Sequence, residues 1–155
     1  MKTKLLLISL GFAAMAAAQT SHGYVYVAPG ALTSGGYNQA TLHAGGGGEA
    51  IIAKGIGVGA EVGYLGPTAY MGEGFGVFSA NGYYHFIHRK DSKLDPFVTG
   101  GYTLFFRSGT ANLANFGGGV NYWFSRHVGL RAEFRDHLYT GSEHYWGFRF
   151  GATFR

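Results

Sequence analysis

The sequence predicts an all-β chain of eight antiparallel strands, closed up-and-down into a transmembrane barrel. Three observations lead there. From Gly23 onward the chain divides into eight segments of strand character, separated by turn-formers and without a convincing 3.6-residue period. Most segments are long, nearer the roughly 9–11 residues of a tilted transmembrane strand than the roughly 5–6 of an ordinary sheet. Within them a period of two separates an aromatic face from a polar one.

Residues 1–18 read as a signal peptide. Lys2 and Lys4 make a positive start, residues 5–14 are an apolar run too short to span a bilayer, and Ala16-Ala17-Ala18 offers the small residues a signal peptidase needs. No Cys follows the run, so attachment by the lipoprotein route is excluded. Residues 19–155 are then expected to form one barrel domain.

The first strand is placed at 23–28 (GYVYVA), followed by a loop at 29–39 rich in Gly, Ser and Asn. The second runs over 40–52, where Gly45-Gly46-Gly47-Gly48 weakens the strand pattern because glycine offers nothing to pack. Ala53-Lys54-Gly55 turns the chain into a third strand, 56–65, which alternates Ile56, Val58, Ala60, Val62 and Tyr64 against Gly57, Gly59, Glu61 and Gly63. After a loop at 66–74, the fourth strand (76–87) sets Phe78, Ala80, Tyr84 and Phe86 opposite Ser79, Asn81, Tyr83 and His85. A charged turn at 88–93 follows. The fifth, 96–107, sets Val98, Tyr102, Leu104 and Phe106 against Thr99, Gly101, Thr103 and Arg107, with Phe105 as the exception. The sixth, 111–124, opposes Ala114, Phe116, Val120, Tyr122 and Phe124 to Asn115, Gly117, Gly119 and Asn121.

The last hairpin is the clearest. Val128, Leu130, Ala132, Phe134 and Leu138 oppose Gly129, Arg131, Glu133, Arg135 and His137, with Asp136 out of pattern. Trp146, Phe148, Phe150, Ala152 and Phe154 oppose Gly147, Arg149, Gly151, Thr153 and Arg155. Connections after odd strands are mostly longer than those after even ones, the asymmetry of external loops and periplasmic turns.

Composition narrows the function. With the leader removed, two of the 12 Lys and Arg are lost, leaving ten against 8 acids, a balance of +2. So small an excess argues against nucleic acid as a partner. With 28 Gly and 17% aromatics but no G-X-Y period, the chain is neither collagen nor disordered. Cys is absent, so no disulfide staples the exported chain.

Volume decides which face points out. An eight-stranded interior is just filled by side chains, about twelve aliphatic ones in a comparable barrel. The large, mostly aromatic face from Tyr64 to Phe154 exceeds that, whereas the Gly, Asn, Ser and Thr face fits. The aromatic face, with Trp146, Phe148, Phe150 and Phe154 on the closing strand, is therefore expected to meet lipid. A closed barrel satisfies every backbone polar group there. Glu61, Arg107, Arg131, Glu133, Arg135 and Arg149 are left inside, where isolated charges cost several kcal/mol; they are expected to pair as a plug, not a channel.

The stretch YWFSRHVGLRAEFRDH and the terminal WGFRFGATFR resemble the outer-membrane β-barrel domain of the OmpA/OmpX-like superfamily, in particular its bacterial barrel-only members. The resemblance covers residues 19–155 as an architecture, with recognisable motif over 116–155. It implies the outer membrane of a Gram-negative-type bacterium, contact with outer-membrane lipid, and assembly by the barrel-insertion machinery. That machinery reads an aromatic-alternating last strand ending in Phe; here Phe154 is followed by Arg155. The peptidoglycan-binding domain that the family often carries is not found in this sequence.

Enzymatic and metal chemistry find little support. His85 and His88 fall on opposite faces of a strand, His127 lies in a turn, and His137 and His144 are expected at the external rim, so no metal site or cofactor is expected. Lipid A deacylases, also eight-stranded, place a catalytic His and Ser two apart on one strand. Here Tyr139 follows His137, and Ser142 lies in the turn. The glycine run at 45–48 lacks the strand-to-helix junction and Lys-Ser/Thr of a phosphate loop. The expectation is a non-enzymatic barrel with a structural or surface-interaction role acting through loops 29–40 and 66–75; a lipid A-modifying enzyme and a narrow solute pore are the alternatives.

Overall fold

The computed structural model describes residues 21–155 apart from 88, 90, 140 and 141; the leader over 1–18 lies outside the described residues. Eight strands follow in order: β1 (His22–Ser34), β2 (Tyr37–Ala53), β3 (Ile56–Pro67), β4 (Phe75–His85), β5 (Leu94–Phe106), β6 (Thr110–Trp123), β7 (Val128–Leu138) and β8 (His144–Phe154), with a short 3-10 turn at Met71–Glu73. Each pairs antiparallel with the next, and β8 returns to β1, closing a barrel.

Turn chemistry explains the tightest connections. Gly35 and Gly36, both with positive φ, form a two-residue hairpin between β1 and β2, and Gly55 supplies the positive φ that turns β2 into β3. This corrects the expected 29–40 loop: residues 29–34 and 37–40 are strand, and only the two glycines turn. A Pro and a Gly in 29–30 suggested a break. In the barrel Pro29 sits on the closing seam, where the β1–β8 register runs from Val27↔Phe150 directly to Gly30↔Gly147, across the residue without an N–H.

The alternation resolves as the volume comparison required. Val25, Val27, Val58, Val62, Phe116, Leu130, Phe148, Phe150 and Phe154 point outward and are exposed. Trp146 shares that face, partly covered, with its ring against Phe134 and Phe148. Glycines line the inner face of β2 and β3, and this is where they are needed. A Cβ on Gly47 would lie 2.9 Å from the Tyr24 hydroxyl and one on Gly45 2.8 Å from that of Tyr26. The bare wall is the space that β1 fills with tyrosines.

The interior is layered. At the loop end an apolar layer of Leu65, Val77, Phe105 and Leu113 packs with Phe75, Ala111 and Tyr145. Phe105, out of place in the strand pattern, has its ring stacked on Phe75 at 5.3 Å. Below that lies a polar layer of Ser79, Thr103, Asn115 and His137, and then the charges.

Candidate functional site

The lumen gathers the chain's buried chemistry, and β7 is its axis. Arg131, Glu133 and Arg135 alternate on its inner face, and all three are buried. The Arg135 Nε donates to Glu133 Oε1 at 2.6 Å and the Arg131 Nε to Glu133 Oε2 at 3.0 Å, so one carboxylate is held between two guanidiniums. On β8, directly opposite Glu133 in register, Arg149 donates through Nη1 to both oxygens of Glu61, at 2.9 and 3.0 Å. Glu61 comes from β3 and also accepts from the Tyr24 hydroxyl at 3.0 Å, so the contact crosses the lumen.

Desolvating each ion costs several kcal/mol, recovered only when geometry is good and spare hydrogen-bonding groups find partners. Here they do. Arg135 reaches Asn115 Oδ1 at 3.0 Å and Arg131 reaches Asn121 Oδ1 at 3.3 Å. The flat faces of the guanidiniums are covered too: Arg131 lies 4.1 Å from the Phe97 centroid and 4.3 Å from that of Tyr24, and Arg149 lies 4.3 Å above Tyr26. Such stacking favours the weakly hydrated guanidinium over an ammonium.

Towards the start of β1 and the end of β8 a second cluster continues the column. His85 stands between Glu49, at Nε2, and Asp95, at Nδ1 2.7 Å away; Asn121 donates to the other Asp95 oxygen at 3.1 Å. Glu49 also lies 3.4 Å from His22 and 3.8 Å from Arg131, joining the clusters.

Five of the six residues expected to pair inside are thus brought together: Glu61, Arg131, Glu133, Arg135 and Arg149. Arg107 is not among them. β5 ends at Phe106, so strand parity no longer governs the next side chain, and Arg107 projects from the rim. There it bonds the Glu73 carboxylate at 2.7 Å and the backbone oxygens of Glu73 and Gly72. That hydrogen bond, with its charge, holds the Glu73 carboxyl below the ordinary carboxylate range. In Arg107→Gln the Glu73 carboxyl should therefore titrate at higher pH, measured by NMR of its carboxyl carbon; an unmoved midpoint would contradict the pairing. Because both groups are exposed, barrel stability should hardly change.

Sequence reasoning missed several lumen residues. His137 is no rim residue: it is buried, with Nδ1 3.0 Å from Thr103 Oγ1 and Nε2 3.3 Å from Arg149. His43 meets the Tyr26 hydroxyl at 3.0 Å. His144 does lie at the rim, on Asp136 at 3.0 Å. Glu49 and His43 went unseen because the glycines between them erase the alternation of β2. The tyrosines of β1 lacked a face because six residues of GYVYVA are too few to orient. Among the described residues, no group of three His, Cys, Asp or Glu is placed to hold a metal ion.

The sequence matches no family model and no curated protein sequence. Solved structures do match. Neisserial surface protein A superposes with a TM-score of 0.67 at 12% identity, covering 86% of this chain and 96% of that one. The N-terminal β-barrel domain of OprF from Pseudomonas aeruginosa gives 0.63 at 16% identity, over 87% and 98%. Ail, the attachment invasion locus protein of Yersinia pestis, gives 0.53 at 13% identity, over 86% and 96%. At these identities the likeness is one of fold, and it spans the neighbours' barrels almost completely.

Proposed function

We propose that this chain, whose fold is that of the small eight-stranded outer-membrane barrels, is a non-enzymatic outer-membrane protein of a Gram-negative-type bacterium. Its role is structural or surface-interacting, and its lumen is closed to solutes. One observation carries the reading: an exposed apolar belt surrounds an interior packed with mutually neutralised ions. That inversion of an ordinary soluble barrel is stable where the outside is hydrocarbon. Assembly by the barrel-insertion machinery and an N-terminal leader belong to the same reading.

The surface-interaction half rests on the loop end, where Tyr37, Tyr70, Met71 and Tyr139 are exposed. Two of the similar solved barrels are described as a surface protein and as an attachment invasion protein. Against the lipid A-modifying alternative stands the burial of His137, whose ring nitrogens already face Thr103 and Arg149 and not lipid.

The full chain should fractionate with outer membranes and migrate on SDS gels as a heat-modifiable species. In planar bilayers it should give no steady openings, because the lumen holds the buried, mutually bonded Arg135, Glu133, Arg149 and Glu61 and, at the loop end, an apolar layer of Leu65, Val77, Phe105 and Leu113. Sustained conductance would overturn the closed lumen; recovery as a soluble periplasmic protein would overturn the whole reading. Loss or gain of an acyl chain on lipid A from overproducing cells, seen by mass spectrometry, would replace it with the enzymatic one.

A further inference from the structure

The two ends of the barrel carry opposite charge. At the loop end the acids are Glu73, Glu143 and Asp136; Glu143 accepts from Ser34 at 3.1 Å, Asp136 meets His144, and Arg107 is the neighbouring guanidinium. At the other end, where β1 begins and β8 ends, every turn is basic. Lys54 lies in the β2–β3 turn, Arg89 and Lys93 in the β4–β5 connection, and Arg126 in the β6–β7 turn, all exposed, with Arg155 following β8. Two acids lie at this end: Asp91, 3.5 Å from Arg89 and as exposed as it, and the partly buried Asp95, which faces His85 and Asn121.

These cations sit on a fixed frame. The backbone N–H of His85 donates to Gly55 O at 2.7 Å, that of Trp123 to Lys93 O at 2.7 Å, and that of Arg155 to His127 O at 3.0 Å, so each turn is tied to the end of the strand beyond it. Arg155 also donates to Arg126 O at 2.9 Å and covers the Trp123 ring at 4.1 Å. Immediately inward of this rim the outer surface is apolar: Ile56, Tyr84, Phe86, Tyr122, Phe124 and Phe154 are exposed. A ring of cations bordering a ring of aromatic and aliphatic side chains matches the level at which hydrocarbon gives way to headgroup phosphate.

We infer that the turn end is a docking collar for anionic phospholipid headgroups, with Lys54, Arg89, Lys93 and Arg126 as the phosphate-facing cations. The inference rests on the membrane reading proposed above and adds a lipid class to it. Charge complementarity favours that occupant: the collar is cationic, the opposite end is not, and the attraction falls off within a Debye length, so only lipids in contact with the rim are selected. The consequence is a barrel whose two ends prefer different surroundings.

The test uses the full chain folded into lipid vesicles, with spin-labelled phosphatidylglycerol or phosphatidylcholine as probe and electron paramagnetic resonance reading the lipid held at the barrel surface. The wild type should favour phosphatidylglycerol by about twofold or more at low salt. That preference should vanish near 1 M NaCl, where the screening length is about 3 Å. The exposed-residue variant Lys54→Gln/Arg89→Gln/Lys93→Gln/Arg126→Gln should remain heat-modifiable yet lose the preference, whereas Arg107→Gln should keep it. Equal association of the two lipids in the wild type, or an unchanged preference in the quadruple variant, overturns the collar and leaves the membrane reading standing. A chain that folds into neither kind of vesicle overturns both.

Discussion

Glu133→Ala should lower the free energy of unfolding by about 3–5 kcal/mol, the usual cost of removing one partner from a buried ion pair. The carboxylate touches three guanidiniums: Arg131 and Arg135 through direct hydrogen bonds and Arg149 at 3.6 Å. Its removal leaves Arg131 and Arg135 facing each other across a vacated site, with Glu61 already committed to Arg149. Equilibrium urea unfolding of the full chain in vesicles reads the loss. Adding Arg135→Met to Glu133→Ala restores the balance of charge, so the double variant should cost less than the two single losses summed. Strict additivity, or a Glu133→Ala barrel as stable as wild type, would show that the ions are not energetically paired.

Gly47→Leu should abolish the heat-modifiable form. The position looks bland, one glycine in a run of four, but its inner face is where β1 delivers Tyr24. A first carbon there would already lie 2.6 Å from the Ala60 carbonyl oxygen and 2.7 Å from the Glu61 Cβ. A leucine would push the Tyr24 hydroxyl off both Glu61 and Tyr83, which it meets at 3.0 and 2.9 Å. Overpacking alone costs about 1–3 kcal/mol, and an unsatisfied carboxylate adds to it. The neighbouring outward position supplies the control: Ala60 is exposed, so Ala60→Leu should fold normally. A Gly47→Leu barrel that folds and shifts on heating would show that the glycine wall is not required for packing.

How far the sequence disclosed this architecture depends on side-chain parity. Over β7 and β8 alternation is unbroken for long enough to put Arg131, Glu133, Arg135 and Arg149 on one face, and the volume of the aromatic face told inside from outside. Parity says nothing past a strand end, which is why Arg107 was expected in the lumen and is found on Glu73 at the rim. It also fails where glycines replace both faces: Glu49, which joins His85, His22 and Arg131, stands at the end of such a run. Phe105 broke the rule for the opposite reason, being an aromatic that the interior needs as part of its apolar layer. The polar partners Asn115 and Asn121 were legible as inner-face residues; their guanidinium partners follow only from the β6–β7 register.

The Glu61–Arg149 contact joins residues 88 apart in the chain, and β1 meets β8 across nearly its whole length. Both form only at closure, so the loop entropy of the entire barrel is spent before these cross-lumen contacts return anything. Folding should therefore be slow and nearly all-or-none, with an open sheet of eight strands that holds Glu61 and Arg149 apart as its least favourable stage. The same arrangement should make the finished protein slow to unfold. Opening the seam anywhere near Arg149 exposes ions from three strands at once, so the column acts as a kinetic lock as well as a filling.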